Sequence, residues 1–258
     1  MTVDIIRPPI IFLFIIAQVR ALAPLIFLCY TEGIQKARKS RQRGRHFSLE
    51  ATIMNIITIS REFGSGGREL GKRLAEALGY AYYDREILTM LAEQTALDEN
   101  YLEHTLENSS FSNLYPITIG QTLSVLPNYL AEHSTALLQK QTALIKQLAS
   151  KSNCIIVGRN ADLILREHDP LRIFVHADLA ARIERCRRRE TENVQYSDKD
   201  YEKKIRQIDK NRAKTHAILG TYDWGDRRGY DLCINTTNIV VKDIIPALQA
   251  YATLWAAR

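Results

Sequence analysis

Ile56-Ile57-Thr58-Ile59-Ser60-Arg61-Glu62-Phe63-Gly64-Ser65-Gly66-Gly67-Arg68-Glu69-Leu70-Gly71-Lys72-Arg73-Leu74-Ala75 is the stretch whose reading decides the fold. A β-branched run reads as a short strand, and a glycine turn follows it. A helix comes next, with Leu70, Leu74 and Leu78 recurring every four residues until Gly79 stops it. Three glycines in the four positions Gly64 to Gly67 let the backbone curl close to a ligand. The first amides of the helix lack partners and carry partial positive charge, so this layout suits an anion, above all a phosphate. The plainer alternative is a strand-to-helix bend that needs glycine only to turn.

Downstream the pattern repeats as strand, then helix. Tyr80 to Tyr83 is a short strand signal, and Asp84 after it is either the cap of the next helix or, at a strand end beside the glycine turn, a substrate-binding group. Residues 87–152 are mostly helical by period, with a polar break at Glu107 to Asn113 and prolines at 116 and 127. A crossover between parallel strands needs only about a dozen residues, so this insert has room to wall a cleft. Cys154 to Val157 is wholly apolar, as in a strand buried on both faces of a parallel sheet, and it ends in Gly158-Arg159-Asn160. Ligands of open α/β sheets gather beyond the carboxyl ends of strands, which places Arg159 where an anion would be met.

Arg172 to Ala177 is the next strand, and the helix after it buries Leu179, Ile183 and Cys186 on one stripe. Arg182, Arg185 and Arg189 share a second stripe, either a solvated face or a set of forks for phosphate oxygens, while Arg187 and Arg188 fit solvent. A polar connection over Thr191 to Asp198 leads to a helix on which Asp209 and Arg212 lie three apart. Strand Tyr230 to Asn235 and an amphipathic helix through Ile244, Ile245, Leu248 and Tyr251 close the chain. Five strand signals alternating with helices predict an α/β fold: a mainly parallel sheet with helices on both faces.

The 258 residues, 46% apolar and 25% charged, suffice for one sizeable α/β domain. The net charge of +6 misleads, because residues 1–53 hold eight Lys/Arg against three acids. That leaves 27 basic and 26 acidic residues for 54–258, so the globular part gives no electrostatic case for nucleic acid. Residues 1–53 carry two apolar runs interrupted by Arg20 and Pro24, then a basic segment from Lys36 to Arg45. This is a poor spanning helix and a poor signal peptide, so a dispensable extension is expected, with a membrane-associated segment as the alternative. Cys29, Cys154, Cys186 and Cys233 have no metal spacing and read as reduced thiols of a cytoplasmic protein.

Taken in order, ISREFGSGGRELGKRLAEALG, YYDREIL, VGRNADLIL, LRIFVHADLAARIERCRRR, IDKNRAKTH and YDLCINT make the chain from Met54 onward resemble the cytidylate kinase-like proteins, a branch of the P-loop nucleoside monophosphate kinases. The resemblance covers about four fifths of the chain. It implies a P-loop core sheet, a monophosphate-binding region over roughly 84–152 and a lid near 191–197. Its ligands would be ATP, with Mg²⁺ carried by the nucleotide, and a monophosphate acceptor such as CMP. Gly64, Ser65, Gly66 and Gly67, with Arg68 and Glu69, would hold the ATP phosphates; Asp84, Arg159 and Arg185 would hold the acceptor; Arg182 and Arg212 would neutralise the transferring phosphoryl group.

The chain departs from the GxxxxGK[ST] pattern. A gap-free match puts Arg61 at the first glycine, Gly67 at the lysine and Arg68 at the hydroxyl residue; a shift by one puts Arg68 at the lysine and Glu69 at the magnesium ligand. Arg68 is then the expected source of the missing charge. The departure also admits a nucleotide-binding module without catalysis. A dinucleotide-dependent oxidoreductase fits less well, because the third glycine of GxGxxG falls on Glu69.

Overall fold

The computed structural model describes residues 54–108, 125–189 and 196–258. The extension 1–53 and most of the polar break and of the expected lid lie outside these. Five strands form one sheet: β1 Ile56–Arg61, β2 Ala81–Tyr83, β3 Cys154–Val157, β4 Leu171–His176 and β5 Leu232–Asn235. Every pairing is parallel and the strand order is β2-β3-β1-β4-β5. The expected mainly parallel sheet is thus wholly parallel among the described residues. The helices are α1 Gly67–Leu78, α2 Glu86–Thr95, α3 Glu99–Asn108, α4 Val125–Lys151, the short α5 Ala161–Ile164, α6 Leu179–Arg189, α7 Asp198–Leu219 and α8 Val241–Ala256.

Alternation along each strand feeds two apolar layers, because successive side chains leave opposite faces of a sheet. Ile56, Cys154 and Ile156 join Leu88, Leu91, Leu102, Ile145 and Leu148 beneath α2, α3 and α4. Ile57, Ile59, Ile155, Val157 and Ile173 join Leu70, Leu74, Ile245 and Leu248 beneath α1 and α8. Burial on both faces is why these strands read as continuous apolar runs. Helix α1 ends where its period does, with Gly79 left-handed at φ 68°. Helix α7 opens with a reciprocal capping box between Ser197 and Asp200.

Asp84 does not cap a helix: Arg85 holds the N-cap position of α2 and no side chain caps it. The Asp84 carboxylate turns toward arginines instead, as described below. No helix of the described residues is long and apolar enough to cross a membrane. Among the described residues Cys154, Cys186 and Cys233 form no disulfide.

Candidate nucleotide site

Parallel strands end together, so the loops after β1 to β5 share one edge of the sheet. After β1 the chain turns through Gly64 at φ 79° and Gly66 at φ 86°, conformations open to glycine without a side-chain clash. Gly64 is also pressed against α6, where an added Cβ would meet the Arg182 carbonyl oxygen at 2.9 Å. No side chain caps α1 at Gly66. The amides of Gly67 and Arg68 therefore open the helix with no preceding turn to accept from them. Ser65 is buried, and both its N–H and its hydroxyl donate to the Glu62 carbonyl, at 3.3 and 2.9 Å.

A carboxylate–guanidinium network fixes this loop from behind. Arg182, only 7% exposed, donates from Nε to the Phe63 carbonyl at 2.8 Å and pairs with Glu62 Oε2 at 3.0 Å and with Asp209. Asp209 in turn accepts the Phe63 N–H at 2.8 Å, and burial pushes its carboxyl up against the pull of these donors. Glu62 also accepts the Ala177 N–H at 3.1 Å. The three Arg182 nitrogens thus shape the loop.

Beyond the loop lie two clefts. The first, about 750 Å³, is lined by Gly64, Gly66, Gly67 and Arg68 from the turn and by Arg189, Tyr201 and Lys204 from α6 and α7. The second, about 640 Å³, is lined by Gly158, Arg159 and Asn160 beyond β3 and by Leu106, Gln141 and Trp224. Gly158, Arg159 and Asn160 are all left-handed, at φ 76°, 57° and 53°. Two consecutive non-glycine residues in that region store backbone strain of a kind that gathers at functional sites.

Arg61 and Arg212 line both clefts. Arg212 donates to the Arg61 carbonyl at 3.0 Å and lies over the Phe63 ring. Arg61 lies 3.7 Å from Asp84, which also pairs with Arg68. Burial, then the charge of Arg212, pushes the Arg61 guanidinium down to about 9, against the upward pull of Asp84; Arg159 and Arg68 add to the depression. Arg61, Arg68, Arg159, Arg182 and Arg212 crowd this sheet edge together with Glu62, Asp84 and Asp209. Such an edge attracts polyanions.

The sequence-predicted residues therefore separate. Gly64, Gly66, Gly67 and Arg68 line the first cleft, Arg159 the second and Arg212 both. Asp84 is buried, pairs with Arg61 and Arg68, and lines neither cleft. Glu69 pairs with Arg73 at 2.8 Å on the exposed side of α1, a fit to helical spacing and to the helix dipole. Arg185 is drawn the other way, to the Thr236 carbonyl beyond β5. Arg61, Lys204, Gln141 and Trp224 escaped the sequence reading. For Arg61 a signal existed in its place at the pattern's first glycine; the others are single residues on helices or turns, without spacing.

A parallel sheet ordered 2-3-1-4-5, with a glycine turn between its central strand and the first helix, defines a P-loop kinase-like protein. The order also departs from the 3-2-1-4-5-6 of dinucleotide-binding folds, which argues against an oxidoreductase. The chain belongs to the cytidylate kinase-like family, whose model matches residues 56–238. It is 26% identical over 202 residues to a cytidylate kinase of Natronomonas pharaonis, covering 76% of this chain and 91% of that protein. It also resembles the crystal structure of an uncharacterized protein from Eubacterium ventriosum, with a TM-score of 0.55 and 25% identity over 78% of this chain and 99% of that one.

Proposed function

We propose that the protein transfers a phosphoryl group from ATP to a nucleoside monophosphate, CMP being the first candidate. One observation carries this reading: a cleft over the glycine turn and a cleft over the β3 end meet at Arg61 and Arg212. A donor in the first would face an acceptor in the second, with cations where their phosphates converge. Phosphoryl transfer asks for positioning and neutralisation of equatorial oxygens rather than a covalent nucleophile, and arginine forks supply both. The amides opening α1 would hold the β- and γ-phosphates, Arg68 would sit on the donor and Arg159 on the acceptor. Arg182 and Asp84 would act as positioning residues.

Magnesium enters as part of MgATP. Among the described residues the carboxylates of this site do not fit a resident metal, since Glu62, Asp84 and Asp209 each face arginine and the Ser65 hydroxyl donates to the Glu62 carbonyl. The lack of a disulfide among the described cysteines fits a reducing compartment, the cytoplasm. A coupled assay with MgATP and a panel of CMP, dCMP, UMP, AMP and GMP tests the proposal. Turnover of at least one acceptor is expected, and none with any of them would overturn it. A second reading, nucleotide binding without transfer, is favoured by the absence of a lysine and a hydroxyl residue at positions 67 and 68. Calorimetric ATP binding with no turnover on the whole panel would select it.

A further inference from the structure

Gly67 and Arg61 fit each other sterically. A Cβ built on Gly67 would stand 2.6 Å from the Arg61 Cβ and 3.1 Å from its Cγ, so any side chain at 67 collides with the stem of Arg61. Gly158 makes room for the other end: a Cβ there would overlap Nη1 of Arg61 and lie 2.6 Å from its Cζ. Two glycines thus form a slot, and the arginine crosses it from the end of β1 to reach the junction of the clefts. In the gap-free register, position 61 is where the P-loop pattern has its first glycine and position 67 is where it has its lysine. The pattern's glycine and cation have changed places.

We propose that Arg61 is the phosphate-bridging cation of this site, standing in from the strand end for the lysine that the pattern places on the helix. The proposal rests on the kinase reading for the identity of its ligand. The steric argument explains why the exchange is reciprocal. The two positions abut at Cβ, so only one of them carries a side chain and the other must be glycine. Arg61 has advantages over an ammonium in this buried place, since a guanidinium is more weakly hydrated and can touch two phosphates at once through its fork. Asp84 lies behind it as counterion and leaves its cleft-facing side to the ligand. Burial first, then the like charges of Arg212, Arg159 and Arg68, lower the affinity of Arg61 for its proton, and an arriving polyphosphate would offset those charges.

The exchange makes a rescue experiment possible. Calorimetry with MgATP, and with inorganic tripolyphosphate as a base-free probe, is run on the full chain and on Arg61→Gly, Gly67→Lys and Arg61→Gly/Gly67→Lys. Arg61→Gly should weaken both probes by about ten- to a hundredfold, the range for a charge-assisted contact. Gly67→Lys alone, with the arginine still in the slot, should also weaken both. The double variant, which recreates the glycine-and-lysine arrangement, should return to within about tenfold of wild type, a non-additivity that unrelated structural damage does not produce. Should Arg61→Gly melt too low to titrate, Arg61→Gly/Asp84→Asn removes the buried carboxylate that then keeps only Arg68, and Arg61→Gly/Gly67→Lys/Asp84→Asn is its rescue. Arg61→Gly binding like wild type, or a double variant no better than Arg61→Gly, overturns the proposal. A wild type that binds neither probe removes the kinase reading instead, and the anion site falls with it.

Discussion

Arg182→Met separates a loop-shaping role from a phosphate-binding one. The side chain is 8% exposed and joins three partners on two other elements: Glu62 and the Phe63 carbonyl after β1, and Asp209 on α7. Removing one member of a buried ion pair costs about 3–5 kcal/mol, because the partner is left charged and uncompensated. Two features pull the figure to the low end. Glu62 is 26% exposed and keeps the Ala177 N–H, while Asp209 keeps the Phe63 N–H and Arg212 at 3.6 Å. A loss of about 3 kcal/mol should lower Tm by roughly 6–12 °C in a domain of this size. ATP affinity should fall with it, since Gly64 rests on the Arg182 backbone and the loop loses its anchor. Circular-dichroism melts with calorimetric titration of MgATP read both quantities. A Tm within about 2 °C of wild type together with a hundredfold loss of turnover would refute the structural role and make Arg182 a direct phosphate contact.

Gly71→Ala should destabilise the protein by about 1–3 kcal/mol in urea unfolding despite the better helix propensity of alanine, because its Cβ would meet Val157 Cγ2 at 2.8 Å and Ile59 Cδ1 at 3.1 Å in the core. Ser197→Ala removes one half of the capping box of α7 and should cost about 1 kcal/mol, seen as faster amide exchange confined to the first turn from Asp198. Arg61 titrates lower in the folded protein than an ordinary arginine, so above about pH 9 the folded state binds fewer protons than the unfolded state and this group's cost to stability shrinks as pH rises. Between pH 8 and 10 the wild type should gain on the order of 1 kcal/mol in denaturant stability relative to Arg61→Met, while its ATP affinity falls and that of the variant does not.

The strands were legible as short, mostly apolar runs between polar or glycine residues; Cys154–Val157, wholly apolar and buried, is the plainest case, and its observed limits match the run of apolar letters. The glycine turn was legible because backbone demands leave marks on composition. Side-chain destinations leave no such mark. Arg182, Arg185 and Arg189 occupy one helical stripe, yet the first is taken by the loop, the second by Thr236 and the third lines a cleft. Stripe membership fixes direction to within a helix face, whereas the partner depends on which strand end lies opposite. Asp84 shows the same limit: an acid before a helix reads as a cap, and only tertiary placement shows two arginines competing for it. Arg61 was hidden for the opposite reason, since a strand-end arginine is ordinary until the glycines at 67 and 158 are seen to accommodate it.

Guanidinium groups crowded at one sheet edge have a thermodynamic consequence for the whole domain. Arg212, Arg159 and Arg68 repel Arg61, and like charges held together lower stability, while Glu62, Asp84 and Asp209 offset part of the repulsion. A polyanion that binds the folded state and not the unfolded one returns that energy as ligand affinity, and stability then rises with the logarithm of ligand concentration. Hydrophobic ligands entering the same clefts would return none of it. Tripolyphosphate, which offers charge without a base, should therefore raise Tm by a large share of the increase that ATP gives. High salt should shrink the increase for both, because it screens the repulsion that binding relieves.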